Sequence, residues 1–109
     1  MATYNDFKKI EIKIGEILSV EKVPETDRLL KLSVNFNEEE PRTIVSGISE
    51  YYEDEQVLVG KKCTFVTNLE PREIKGVESN GMILAIITED KKFSLLEPQE
   101  DIPAGSQVG

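Results

Sequence analysis

Ile10, Ile12 and Ile14 alternate with Glu11 and Lys13; Gly15 then interrupts, and Ile17-Leu18-Ser19-Val20 resumes in the opposite phase. Apolar residues at every second position mark a half-buried strand. A glycine with a phase change inside such a strand marks a bulge or a sharp bend. A strand that bends near its middle is what a small closed barrel requires.

The rest of the chain supplies partners for that strand. Val23-Pro24-Glu25-Thr26-Asp27 reads as a loop, because proline and short polar residues break a ladder. Leu30, Leu32, Val34 and Phe36 alternate with Lys31, Ser33 and Asn35, a second strand with one core face. Asn37 to Pro41 is a turn with an acidic, solvated tip, and Arg42 to Gly47 is a third strand. Ser49 is expected to cap a short helix over Glu50 to Val59 that faces Tyr51, Tyr52 and Leu58 inward and stops at Gly60. Lys61 to Thr67 and Met82 to Thr88 read as the fourth and fifth strands. Glu89 to Lys92 is a charged turn. Phe93 to Leu96 is a short strand before a tail with Pro98, Pro103 and Gly105. In the opening segment, Tyr4 to Lys9, Phe7 is expected to anchor on the body.

Five strands with a short helix between the third and fourth is the order of an OB-fold. The expected class is therefore all-β, a five-stranded Greek-key barrel with a C-terminal extension, as one domain over residues 1–109.

Composition removes several function classes. There is no histidine, so a histidine-based triad and any zinc site needing imidazole are excluded. The single Cys63 lies in an apolar strand, cannot form an intrachain disulfide, and reads as a buried small hydrophobe in a cytoplasmic chain. No cofactor and no metal is expected, and no enzymatic activity. No apolar run approaches the roughly 20 residues of a membrane span, so no membrane partner is expected. Net charge is −8, from 13 basic and 21 acidic residues. That balance opposes general nucleic-acid binding, yet a local basic patch can persist because fields are screened over short distances.

The stretch most suggestive of binding is Thr67 to Ala85, T-N-L-E-P-R-E-I-K-G-V-E-S-N-G-M-I-L-A. Asn68, Pro71, Gly76, Ser79, Asn80 and Gly81 favour turns, and Arg72 and Lys75 project from the same segment. It reads as a structured loop of about a dozen residues, long for a simple hairpin. Ordered loops on a rigid sheet are common seats of binding. Upstream, Arg28 opens the second strand, Lys31 lies on its polar face and Arg42 opens the third. OB-folds bind along this face, so the three are expected to share it.

The set Asn68, Leu69, Pro71, Gly76, Ser79, Gly81 and Met82 resembles the tRNA-binding domain at the C-terminus of many methionyl-tRNA synthetases. That domain also occurs in freestanding tRNA-binding proteins and cytokine-like synthetase cofactors. Further marks are Phe7, I-K-I-G-E-I at 12 to 17, T-D-R-L-L at 26 to 30, I-V-S-G-I at 44 to 48, and Y-Y with V-G-K-K between Tyr51 and Lys62. The chain departs from the family at Glu25-Thr26, where N-A is usual, and at Arg28, where lysine is usual.

The resemblance implies the same OB-fold and places Ser79 and Met82 in a tRNA-contacting region. The candidate RNA-binding residues are Arg28, Lys31, Arg42, Asn68, Arg72, Lys75, Ser79 and Met82. Few aromatics are available for base stacking, so recognition by shape and backbone is expected. The resemblance also implies a homodimer built from the N- and C-terminal segments, consistent with Leu95, Leu96, Pro98, Ile102 and Val108 extending past the fifth strand. A synthetase catalytic chain is a further expected partner. The alternative is a protein-binding dimer resembling the secretion-associated chaperone of the same fold. The charge of −8 favours it, whereas S-N-G-M-I-L-A favours tRNA.

Overall fold

The computed structural model describes residues 1–109. Its elements in chain order are α1 (Tyr4–Lys8), β1 (Ile12–Lys22), β2 (Leu30–Asn35), β3 (Arg42–Ser46), β4 (Lys62–Val66), β5 (Arg72–Ile74), β6 (Val77–Ser79), β7 (Met82–Ile83), β8 (Ala85–Ile87), β9 (Phe93–Leu95) and β10 (Gln107–Val108). The main sheet runs β3-β2-β1-β4-β7, with β10 added to β1. The long β1 gives its first half to β4 and its second half to β2. It can serve both because β2 and β4 lie along its two opposite edges. Between β7 and β3 the barrel is closed by the Asn80 N–H, which donates to the Thr43 carbonyl at 2.8 Å. The result is an all-β, OB-like barrel.

The alternation of β2 is borne out: Leu30, Leu32 and Val34 are buried and the residues between them half-buried. They form one cluster with Ile17, Phe36, Ile44, Leu58, Cys63, Phe65, Ile83 and Leu95. Burial pushes the Cys63 thiol up to about 12, so it behaves as the small hydrophobe expected.

Gly15 works differently from the expectation. Its register to Cys63 is unbroken, and the irregularity falls at Leu18, between the pairs Ile17–Val34 and Ser19–Ser33. Gly15 is needed for close packing: a Cβ there would lie 2.5 Å from Val34 Cγ1. Ile14 also departs from the simple reading. It lies outside the main cluster and faces the C-terminal tail, beside Leu96, Ile102 and Val108.

Three further expectations are corrected. The helix over Glu50 to Val59 is two 3-10 turns, Ser49–Tyr51 and Glu55–Leu58. Ser49 caps neither; Asp54 caps the second by accepting the Gln56 N–H at 3.0 Å. Leu58 is nonetheless buried, with Tyr51 and Tyr52 packed against the core. The strand expected over Met82 to Thr88 is split at Leu84, whose N–H donates to the Thr64 carbonyl, so β7 belongs to the barrel and β8 pairs with β9 instead. Finally, Phe7 is 46% exposed. Its segment is a short helix closed by a capping box at Thr3, with no buried residue.

Candidate nucleic-acid interface

Strand register decides which cations can share a face. Lys31 sits opposite Val45 on β3 and Glu21 on β1, on the outer alternation of β2. Arg42 sits opposite Val34, whose side chain is in the core. Arg42 therefore starts from the inner side, at the mouth of the barrel. Its Nε and Nη2 donate to the two oxygens of Glu38 at 2.9 and 2.8 Å, and Nη1 donates to the Thr67 carbonyl at 2.6 Å. The guanidinium also lies 5.4 Å from the Phe36 ring centroid. The hydrogen-bonded pair holds the Glu38 carboxyl below, and the Arg42 guanidinium above, their ordinary ranges. The expected single face of Arg28, Lys31 and Arg42 is thus corrected: Arg42 points into the mouth and is occupied there.

The segment expected as a loop is in part a hairpin. β5 and β6 pair through Arg72–Ser79, Glu73–Glu78 and Ile74–Val77. Lys75 and Gly76 form the turn, with φ of 52° and 82°. Two left-handed residues make the hairpin turn whose twist suits antiparallel strands, and glycine takes the second position without penalty.

Ser79 fastens this hairpin to β3. It is 4% exposed, and its Oγ accepts the Val45 N–H at 2.9 Å and donates to the Gly81 carbonyl at 3.2 Å. Asn68 is a second fastener: Oδ1 accepts the Glu11 N–H at 2.8 Å, and Nδ2 donates to the Lys9 carbonyl at 2.7 Å. Both side chains hold backbone.

The other candidates gather round the hairpin. Arg28 and Lys75 line one open cleft of about 450 Å³ between the 25–29 loop and the hairpin tip. Arg72 and Met82, the latter 45% exposed, line an adjoining crevice with Val45, Leu69 and Ile74. Lys31 flanks Val45 across the β2–β3 ladder. None of Arg28, Lys31, Arg72 and Lys75 takes part in any of the five ion pairs. Four free cations beside an apolar seam can hold phosphates and cover a sugar or base.

Sequence reasoning missed three features here. One is Glu38, whose spacing of four from Arg42 was the available signal. Another is Thr67, whose hydroxyl donates to Glu11 Oε1 at 2.7 Å. The third is the seam of Leu69 and Ile74. On the other side of Arg42 lies an acidic cleft of about 650 Å³ with Glu38, Glu39, Glu40 and Glu78.

The family model of the tRNA-binding domain, tRNA_bind, matches residues 12–107. The methionine–tRNA ligase of Lactococcus lactis is 47% identical over 107 residues, which is 97% of this chain and 16% of the ligase. The chain therefore spans about one sixth of that relative's length. Among solved structures, the MetRS related protein of Pyrococcus horikoshii is 40% identical with a TM-score of 0.91, covering 100% of this chain and 98% of that one. The chaperone CsaA of Bacillus anthracis is 25% identical with a TM-score of 0.87, covering 100% and 99%. The chain belongs to the tRNA-binding domain family.

Proposed function

We propose that the chain is a non-enzymatic tRNA-binding module, cytoplasmic, that grips tRNA by backbone and shape. Arg28, Lys31, Arg72 and Lys75 meet phosphates, while Met82 and Leu69 cover a sugar or base edge. Arg42, Asn68 and Ser79 support the site by fixing the barrel mouth and the hairpin. The observation that carries this reading is that four cations free of ion pairs surround one hairpin on a chain of net charge −8. At physiological salt the Debye length is about 8 Å, so a phosphate at the site feels mainly the local charges, these four cations together with the nearby Glu25, Asp27, Glu70, Glu73 and Glu78, and little of the charge elsewhere on the chain.

In a methionyl-tRNA synthetase, as an appended domain or a subunit, such a module would act by raising the local concentration of tRNA at the catalytic chain. A homodimer would double the site. Tyr4, Phe7, Ile10 and Val108 form an exposed apolar patch suited to self-association. Sedimentation equilibrium at micromolar concentration is expected to give twice the chain mass, and one chain mass refutes the dimer.

Electrophoretic mobility shift with bulk tRNA over a salt series tests the main reading. Four phosphate contacts predict a log–log slope near −3, at roughly 0.7 to 0.9 per contact. The likeness to a chaperone and the acidic cleft of Glu38, Glu39, Glu40 and Glu78 favour a second reading, a binder of basic unfolded segments. Absence of any shift at low salt, together with suppression of aggregation, replaces the first reading by the second.

A further inference from the structure

The cleft between the 25–29 loop and the hairpin tip has a composition that phosphate binding alone does not explain. It is lined by Leu29 and Ile74, by the cations Arg28 and Lys75, and by the carboxylates Glu25 and Asp27. Its volume of about 450 Å³ lies within the roughly 300 to 1,000 Å³ of small-ligand sites. Both rims hold non-glycine residues in the left-handed region, Glu25 at φ 66° and Lys75 at φ 52°. The surface of the cleft itself is mostly apolar, and no ion pair links the cations to the carboxylates beside it.

We propose that this cleft takes a single unpaired nucleotide of a folded RNA, with guanine favoured, an inference that rests on the tRNA-binding reading. Arg28 and Lys75 hold the flanking phosphates from the two rims. Leu29 and Ile74 cover one face of the base. A carboxylate of Glu25 or Asp27 accepts from the base edge. Guanine presents two adjacent donors, N1–H and N2–H, which match the two oxygens of one carboxylate. Adenine and cytosine offer one amino group. Uracil offers one N–H between two carbonyls that repel a carboxylate. Unpaired bases are also the sites where proteins read RNA sequence. The cleft thereby adds base selection to a backbone grip that has none.

The test uses the full chain and RNA hairpins of one stem carrying a single bulged G, A, C or U, with a fully paired stem as reference. The bulged-G hairpin is expected to bind about tenfold tighter than the bulged-U hairpin, the lower part of the range for a good base-edge contact. The double variant Glu25→Gln with Asp27→Asn should bind all four bulges alike, none more weakly than the wild type binds bulged U. Lys75→Glu should weaken all four by the same factor. Equal binding of the four bulges and the paired stem, with the tRNA shift intact, overturns the cleft and leaves the module reading standing. Absence of binding to every hairpin and to tRNA overturns both.

Discussion

The β5–β6 hairpin and the C-terminal tail both lie on the outside of the barrel, and they treat charge in opposite ways. The tail is laid down by backbone. The Ile14 N–H donates to the Ser106 carbonyl at 2.9 Å, the Gly105 N–H to the Ile14 carbonyl at 2.7 Å, and the Thr64 N–H to the Leu96 carbonyl at 3.1 Å. Its acids then pair with lysines of the barrel, Glu97 with Lys61 at 3.4 Å and Asp101 with Lys62 at 2.7 Å. The Lys62 ammonium holds the Asp101 carboxyl below its ordinary range. The hairpin is instead held by side-chain and backbone bonds of Ser79 and Asn80, and its cations pair with nothing. A net charge of −8 therefore says little about one surface. The tail neutralises the lysines it covers, while the hairpin leaves its own exposed to a ligand.

The largest way to break this contrast is to remove residues 97–109. Pro98 and Ile102, half-buried against Ile14, are lost with the backbone bonds around them. A cost of about 3 kcal/mol or more is expected, measured as a fall in the urea midpoint. An unchanged midpoint would mean the tail is only loosely laid on.

Next is Ser79→Ala. It leaves the buried Val45 N–H without a partner, for a cost of about 2 kcal/mol in stability. Were Ser79 chiefly an RNA contact, the midpoint would hold and only tRNA affinity would drop.

Arg42→Ala follows, at about 1 kcal/mol, since the pair it breaks is partly solvated. The salt slope for tRNA should stay as in the wild type. Here the sign of the pH dependence can be worked out. The folded state holds Glu38 below its ordinary 4.5, so its contribution is present above that value and fades as pH falls through the lower folded value. Acid unfolding of Arg42→Ala should lack the part of the decline that the wild type shows below about pH 4.5. The smallest effect is expected for Lys62→Gln: a urea midpoint close to that of the wild type, because exposed pairs contribute little, and no change in tRNA binding.

How much of this was legible in the sequence varies by element. β2 was readable because one of its faces meets the core and the other meets polar surroundings, which is what alternation reports. β1 was harder, since Ile14 is covered by the tail and Gly15 by Val34 and Phe36, so both of its faces are apolar for different reasons. The hairpin was hidden by its turn: Lys75-Gly76 between Ile74 and Val77 is a two-residue signal, but lysine is not the residue that signal leads with. At the site, exposed cations were identified correctly as cations, yet no pattern said that Arg42 would be turned inward by the register of β3. Asn68 and Ser79 were read as ligand contacts because polar residues in a loop look alike whether they bind a partner or hold their own backbone.

The central claim is that the hairpin cations, and not bulk charge, bind tRNA. The measurement that tests it most directly is the salt dependence of tRNA affinity in the wild type, Lys75→Glu and Lys91→Glu. Lys75 and Lys91 both sit in exposed turns with left-handed backbone, Lys91 on the β8–β9 turn and in the lining of neither cleft, and the two reversals change net charge equally. The account predicts a wild-type slope near −3, lowered in magnitude by about 0.7 to 0.9 in Lys75→Glu and unchanged in Lys91→Glu. Equal losses in the two variants would contradict it.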